Sequence, residues 1–236
     1  MIMSGKTLSK CLTRKETWCY IGVVLSVGIL TAMSQQLDPS HMQIYFGVIS
    51  PYLLLVILAA VGGWLTGYLR RFHFGFCHFR FEGFIRAIAL ATLFGVVIIG
   101  VEHLVPLDQD INVPYPDSLA FYPAIAFYVE IIFHVIPIAL LLYLASSFSD
   151  WTKLEERIWL IFIAVAVIEP LFQTILNNTG QSATLTVYVA LHIFLINLTQ
   201  LHLFRKYDFV TMFFFRIIYY LIWHVLWGHF RLEILF

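Results

Sequence analysis

The sequence predicts an all-α protein, a polytopic transmembrane helix bundle of about seven spans. Three observations lead there. The 236 residues are 61% hydrophobic and only 12% charged, whereas soluble domains carry roughly 25% charged residues. The mean hydropathy is +0.86. The apolar stretches are continuous rather than alternating, so they read as helices and not as barrel strands. A formal net charge of zero leaves no basic footprint for nucleic acid. The length predicts one integral membrane domain over 1–236. Three cysteines, Cys11, Cys19 and Cys77, are too few and too scattered for a disulfide framework.

A membrane-spanning helix takes about 20 mostly apolar residues, and the runs fall as follows. The first, 17–35, follows the polar arm "MIMSGKTLSKCLTRKE"; "TAMSQQ" lacks an A-x-A cleavage pattern, so this run reads as a retained anchor. The second, 42–69, is long enough to tilt or protrude. The third is 83–102. The fourth, 118–145, is again long and contains "FYVEIIFHVIP". The fifth, sixth and seventh are 157–176, 183–204 and 209–229.

Orientation follows from Lys and Arg in the short connections. Lys6, Lys10, Arg14 and Lys15 precede the first run, Arg70, Arg71 and Arg80 follow the second, and Arg205 and Lys206 follow the sixth. The loop "SSFSDWTKLEER" adds Lys153 and Arg157 against three acidic residues, which count little in this rule. The opposite loops, "QQLDPSH", "LVPLDQDINVPYPD" and "NNTGQS", hold no Lys or Arg. The expectation is a multi-pass protein of the plasma (cell inner) membrane with a cytoplasmic N-terminus. "NNTG" also has the shape of a glycosylation sequon at Asn177.

Ionisable residues inside apolar runs are expensive and mark function by default. The fourth run carries Glu130 and His134, one turn apart and so on one face. The fifth carries Glu169, with Gln173 one turn on. The sixth carries His192 in line with Tyr188 and Thr199. The seventh carries Arg216, Tyr219, Tyr220, Trp223, His224 and Trp227 on one broad face. At 1.5 Å per residue, Glu130, Glu169 and His192 fall within about 5 Å of the midplane. Histidines and carboxylates from separate helices suit Zn²⁺, and Glu130, His192 and His224 are the candidate ligands. A glutamate outside the ligand set would serve as general base. The alternative is that buried Glu, His and Arg pair with one another and fix helix register. The loop "HFGFCHF" offers His73, Cys77 and His78 to a metal, or its aromatics to the membrane interface. HExxH, CxxC and glycine-rich phosphate loops are absent.

"VEIIFH" at Val129–His134 resembles the "EExxFR" motif of the CAAX-protease and bacteriocin-processing family of intramembrane endopeptidases. Val129 stands in place of the first glutamate, the family's catalytic base, and His134 in place of the arginine. "YVALH" ending at His192 is similar to the family's "FxxxH" motif. His224 matches the late histidine, followed by Gly228 where the family has Asn or Asp. "VAVIE" ending at Glu169 has the second motif's place on its helix with glutamate for histidine, and "IEPLFQ" and "FEGFIR" also mimic the first motif.

The resemblance implies a divergent member whose catalytic residues would be Glu130, His134, Glu169, His192 and His224. Its cofactor would be Zn²⁺ and its substrate a peptide or protein. A non-catalytic relative, serving as scaffold or partner to another membrane protein, fits the missing first glutamate. A haem-binding redox protein using His192 and His224 is a third reading.

Overall fold

A computed structural model describes residues 12–107, 112–148, 151–176 and 183–235, and every element among them is helical. The sequon at Asn177 and the cysteine at position 11 lie outside the described residues. The elements are α1 (Arg14–Leu37), α2 (Pro39–Phe46), α3 (Pro51–Leu69), α4 (Phe81–Leu104), α5 (Ser118–Ser146), α6 (Trp151–Glu156), α7 (Ile158–Ala166), α8 (Ile168–Leu176), α9 (Ala183–Lys206) and α10 (Phe209–Leu235). Six helices are long and apolar enough to cross a membrane: α1, α3 with its 3₁₀ extension to Phe72, α4, α5, α9 and α10. The shorter apolar stretch Ile158–Thr174, formed by α7 and the first part of α8, supplies a seventh segment. This is a multi-pass helical bundle.

Local chemistry sets the boundaries. Thr13 and Glu16 form a reciprocal cap at the start of α1. The continuous run expected over 42–69 is broken: α2 ends at Gly47, whose φ of +59° needs no Cβ to clash, and α3 restarts with Pro51 in its first turn. Inside α5, Pro137 has no N–H to give the preceding turn. There the backbone widens into a π-turn over Ile131–Val135, in which the Ile136 amide reaches back to the Ile131 carbonyl. A second π-turn occupies Leu221–Trp227 of α10.

Helix α5 is the axis. Sixty-one per cent of its most apolar stretch is buried against other helices, compared with 17–33% for α1, α3 and α4, whose remaining apolar faces are left uncovered by the bundle. Small residues let neighbours approach closely. A Cβ added at Gly62 of α3 would lie 2.7 Å from Ile131 of α5, and one at Gly95 of α4 would lie 2.7 Å from Ile222 of α10.

The connections sort into two ends. At one, Arg70 approaches Glu16 (3.5 Å) and Arg205 pairs with Glu155 (2.8 Å) and donates to the Phe72 carbonyl. Asp208 accepts from the His78 amide (2.6 Å) and from Thr211 (2.7 Å). At the other end, Asn112 meets His224, Tyr115 packs on His229, and Arg231 donates to the Leu107 carbonyl (3.0 Å). The start of α1 and the 70–80, 155–157 and 205–208 connections therefore share one end, as the charge pattern predicts for alternating passes.

The 73–80 loop does more than line an interface. Phe74 and Phe76 are buried, Phe76 stacks on Phe209 at 5.1 Å, and Phe74 meets Phe204 edge-on at 4.8 Å. Amides of Phe209 and Val210 donate to the carbonyls of Gly75 and Phe76 (3.0 and 3.1 Å), which ties the loop to α10. Burial pushes the Cys77 thiol up to about 12, with the neighbouring Cys19 adding to the shift. Phe79 alone of the loop's phenylalanines beyond Phe72 stays exposed, in the position expected of an interfacial aromatic.

Candidate functional site

The polar stripes of α5, α8, α9 and α10 converge on Arg216. Its Nη1 and Nη2 donate to the two carboxylate oxygens of Glu169 (3.1 and 3.0 Å), a forked pair. Its Nε donates to Oε1 of Glu130 at 2.5 Å. Nη2 also reaches Gln200 Oε1 (2.8 Å) and Asn197 Oδ1 (3.3 Å), and Nη1 reaches the Tyr220 hydroxyl (3.1 Å). The amide of Gln200 closes the ring by donating to Glu130 Oε1. Gln173 donates to Glu169 (3.2 Å), and Asn197 to the Ala166 carbonyl (3.2 Å). All of the principal members, Glu130, Glu169, Asn197, Gln200 and Arg216, are buried.

His134 completes the site. Its Nδ1 lies 3.0 Å from Glu130 Oε2, but off the angle of a hydrogen bond. Both imidazole nitrogens and that carboxylate oxygen are left without a hydrogen-bond partner. Two carboxylates share one guanidinium here, with the His134 imidazole beside Glu130. In a low-dielectric interior that sharing matters, because an uncompensated buried charge carries a penalty of several kcal/mol.

The structure thus brings Glu130, His134 and Glu169 together and places the other two candidates apart. His192 is buried between α4, α9 and α10, with Nε2 3.2 Å from the Tyr219 hydroxyl and its ring against Phe94 and Tyr188. His224 stacks on Tyr122 at 4.4 Å and bonds Asn112 through Nδ1 at 2.5 Å, nearer the non-basic end. Tyr219 packs against both imidazoles. Glu130, His192 and His224 do not form a metal-sized donor set. Among the described residues the one group of three donors within reach of a single ion is Asp38, His41 and Asp117.

Two grooves of about 400 and 550 Å³ open on the flank of the bundle, one along α1, α5 and α10, the other along α1 and α3. Neither is lined by Glu130, His134 or Glu169.

Sequence reasoning missed Asn197 and Gln200, although Gln200 lies two four-residue steps beyond His192 and so near the same face. It also missed a second buried pair. Arg231 Nε donates to Glu102 Oε1 at 2.7 Å, and the indoles of Trp227 and Trp223 donate to Oε2 at 2.6 and 3.4 Å. Glu102 and Arg231 sit at the margins of their apolar runs, where a charge is ordinarily solvated.

Comparison of the chain with protein-family models, curated proteins and solved structures finds no match.

Proposed function

We propose that the chain is a non-catalytic membrane scaffold or partner subunit, similar to the CAAX-protease and bacteriocin-processing family, with its N-terminus in the cytoplasm. The observation that carries this reading is the occupancy of Arg216. It holds Glu169 in a fork and Glu130 through Nε, so each carboxylate already has a cationic partner. A general base must reach a water and a substrate, and Glu130 is instead sealed among Arg216, Gln200 and His134. Val129, where the resembling family keeps its base, points the same way. In this role the network fixes the register of four helices and so presents a constant outer surface to lipid and to another membrane protein.

Glu130→Gln tests it. The change preserves shape but leaves Arg216 short of a charge, so the yield of folded protein and its melting temperature in detergent should both fall. No peptide cleavage should be there to lose. Purified protein that cleaves a candidate peptide, alongside a stable but inert Glu130→Gln variant, would overturn the scaffold reading.

One observation favours hydrolysis as the second reading. The buried His134 faces Glu130 Oε2 across 3.0 Å without a hydrogen bond, its Nε2 is likewise without one, and it sits on a π-turn; π-turns recur at functional sites. There Glu130 would activate water with His134 as its partner. The placement of His192 and His224 does not fit a shared Zn²⁺ with Glu130.

Orientation is tested separately. In a cysteine-free background, an impermeant thiol reagent applied from outside should label Tyr115→Cys and spare Arg71→Cys. Both positions are exposed in the bundle. Labelling in the reverse order would place the N-terminus outside.

A further inference from the structure

The non-basic end carries a second cluster of chemistry that the bundle itself does not use. Asp38 caps the first turn of α2, His41 lies three residues on, and Asp117 precedes α5. His41 Nε2 stands 3.4 Å from Asp117 Oδ2 and 3.7 Å from Asp38 Oδ2. Both separations exceed the 2.7–3.2 Å of a nitrogen–oxygen hydrogen bond. The Nε2 atom is shielded from solvent and has no hydrogen-bond partner.

The donors are arranged from behind. Ser40's amide donates to Asp38 Oδ1 at 2.8 Å, which leaves Oδ2 to face the histidine. The Phe121 ring meets the imidazole edge-on at 6.2 Å and limits its swing. The connections on this side, "QQLDPSH" and "LVPLDQDINVPYPD", contain no Lys or Arg to neutralise two carboxylates. The Arg231 guanidinium of this end is engaged by Glu102.

The three donor atoms lie within 4.8 Å of one another, close enough to share an ion, with the 3.4 Å His41–Asp117 separation at ligand spacing and the 3.7 Å His41–Asp38 separation slightly wider. Ligands about 2.0–2.2 Å from a tetrahedral zinc stand roughly 3.3–3.6 Å from one another. We infer that Asp38, His41 and Asp117 form a divalent-cation site, selective for a first-row ion such as Zn²⁺, that clamps the α1–α2 turn to the start of α5. One imidazole with two carboxylates suits Zn²⁺ better than Ca²⁺, which takes six to eight oxygens. Asp38 keeps some solvent exposure, which gives the ion a way in and a fourth position for water.

The test uses the full chain purified in detergent, stripped with a chelator and titrated with Zn²⁺. About one Zn²⁺ per chain should bind, and His41→Ala and the isosteric Asp117→Asn should each weaken binding at least about tenfold. A His73→Ala/His78→Ala double variant should bind as the parent does. Co²⁺ in the unmodified chain gives a readout that needs no variant: a tetrahedral visible spectrum without a thiolate charge-transfer band, since no cysteine is in the cluster. Zn²⁺ uptake no higher than background, binding unchanged in both cluster variants, loss of binding in the loop variant, or a thiolate band from Co²⁺ would each overturn the assignment. The outcome is independent of whether Glu130 is catalytic.

Discussion

Arg216→Met is expected to destabilise the bundle by roughly 3–5 kcal/mol, the range for removing one partner of a buried ion pair. The substituent is of similar length and apolar, so packing is largely kept. What is lost is the one guanidinium that serves Glu130 and Glu169 at once. Two buried carboxylates are then left without a guanidinium, with His134 and the Gln200 amide beside Glu130 and the Gln173 amide beside Glu169. Denaturant or thermal unfolding in detergent measures the loss. The decisive comparison is the triple variant Glu130→Gln/Glu169→Gln/Arg216→Met, which removes all three charges together. Replacing a whole buried charge group by neutral residues is often nearly neutral, so the triple variant should recover most of the stability. A triple variant no more stable than Arg216→Met alone would show that shape, not charge, is what Arg216 supplies.

Glu102→Ala should be comparably damaging. Glu102 is the acceptor for Arg231 and for two indoles, so its removal leaves a buried cation, the buried Trp227 N–H and the half-buried Trp223 N–H without their carboxylate. Roughly 3–5 kcal/mol is again the expected loss. Tryptophan emission gives a local report, because Trp223 and Trp227 lose their acceptor together and should shift on mutation. Arg216 and Arg231 are separated by roughly 22 Å along α10 at 1.5 Å per residue, so the two losses should add. Marked non-additivity would mean that α10 transmits strain between the sites.

The helical class was readable because long apolar runs have few alternatives in lipid. The grouping of the connections into two ends followed from Lys and Arg for the same reason. The break at Gly47–Ser50 was harder to see: 42–69 is apolar throughout, and only the pairing of Gly47 with Pro51 signals a restart. At the site, Glu130, His134 and Glu169 were legible as charges where charges are costly. Their partner Arg216 was visible on the same ground. Asn197 and Gln200 were not, because an amide carries a smaller penalty and draws less notice, yet Gln200 bridges Arg216 and Glu130. Similar depth gathered His192 and His224 with Glu130 in the sequence reading. Depth fixes height and not azimuth, and in the bundle each imidazole turns to a nearer partner, Tyr219 for one and Asn112 for the other.

The charged pairs also impose an order on synthesis. Glu130 leaves the ribosome 86 residues before Arg216, and Glu102 leaves 129 residues before Arg231. At 5–20 residues per second these gaps last roughly 4–17 s and 6–26 s. During that time each glutamate is present without the arginine that neutralises it. His134, one turn along the same helix, is a partner that Glu130 brings with it. The helix bearing both arginines is made after every other element described, so neither charged pair can close until α10 arrives, whatever packing α1, α3 and α5 have reached by then.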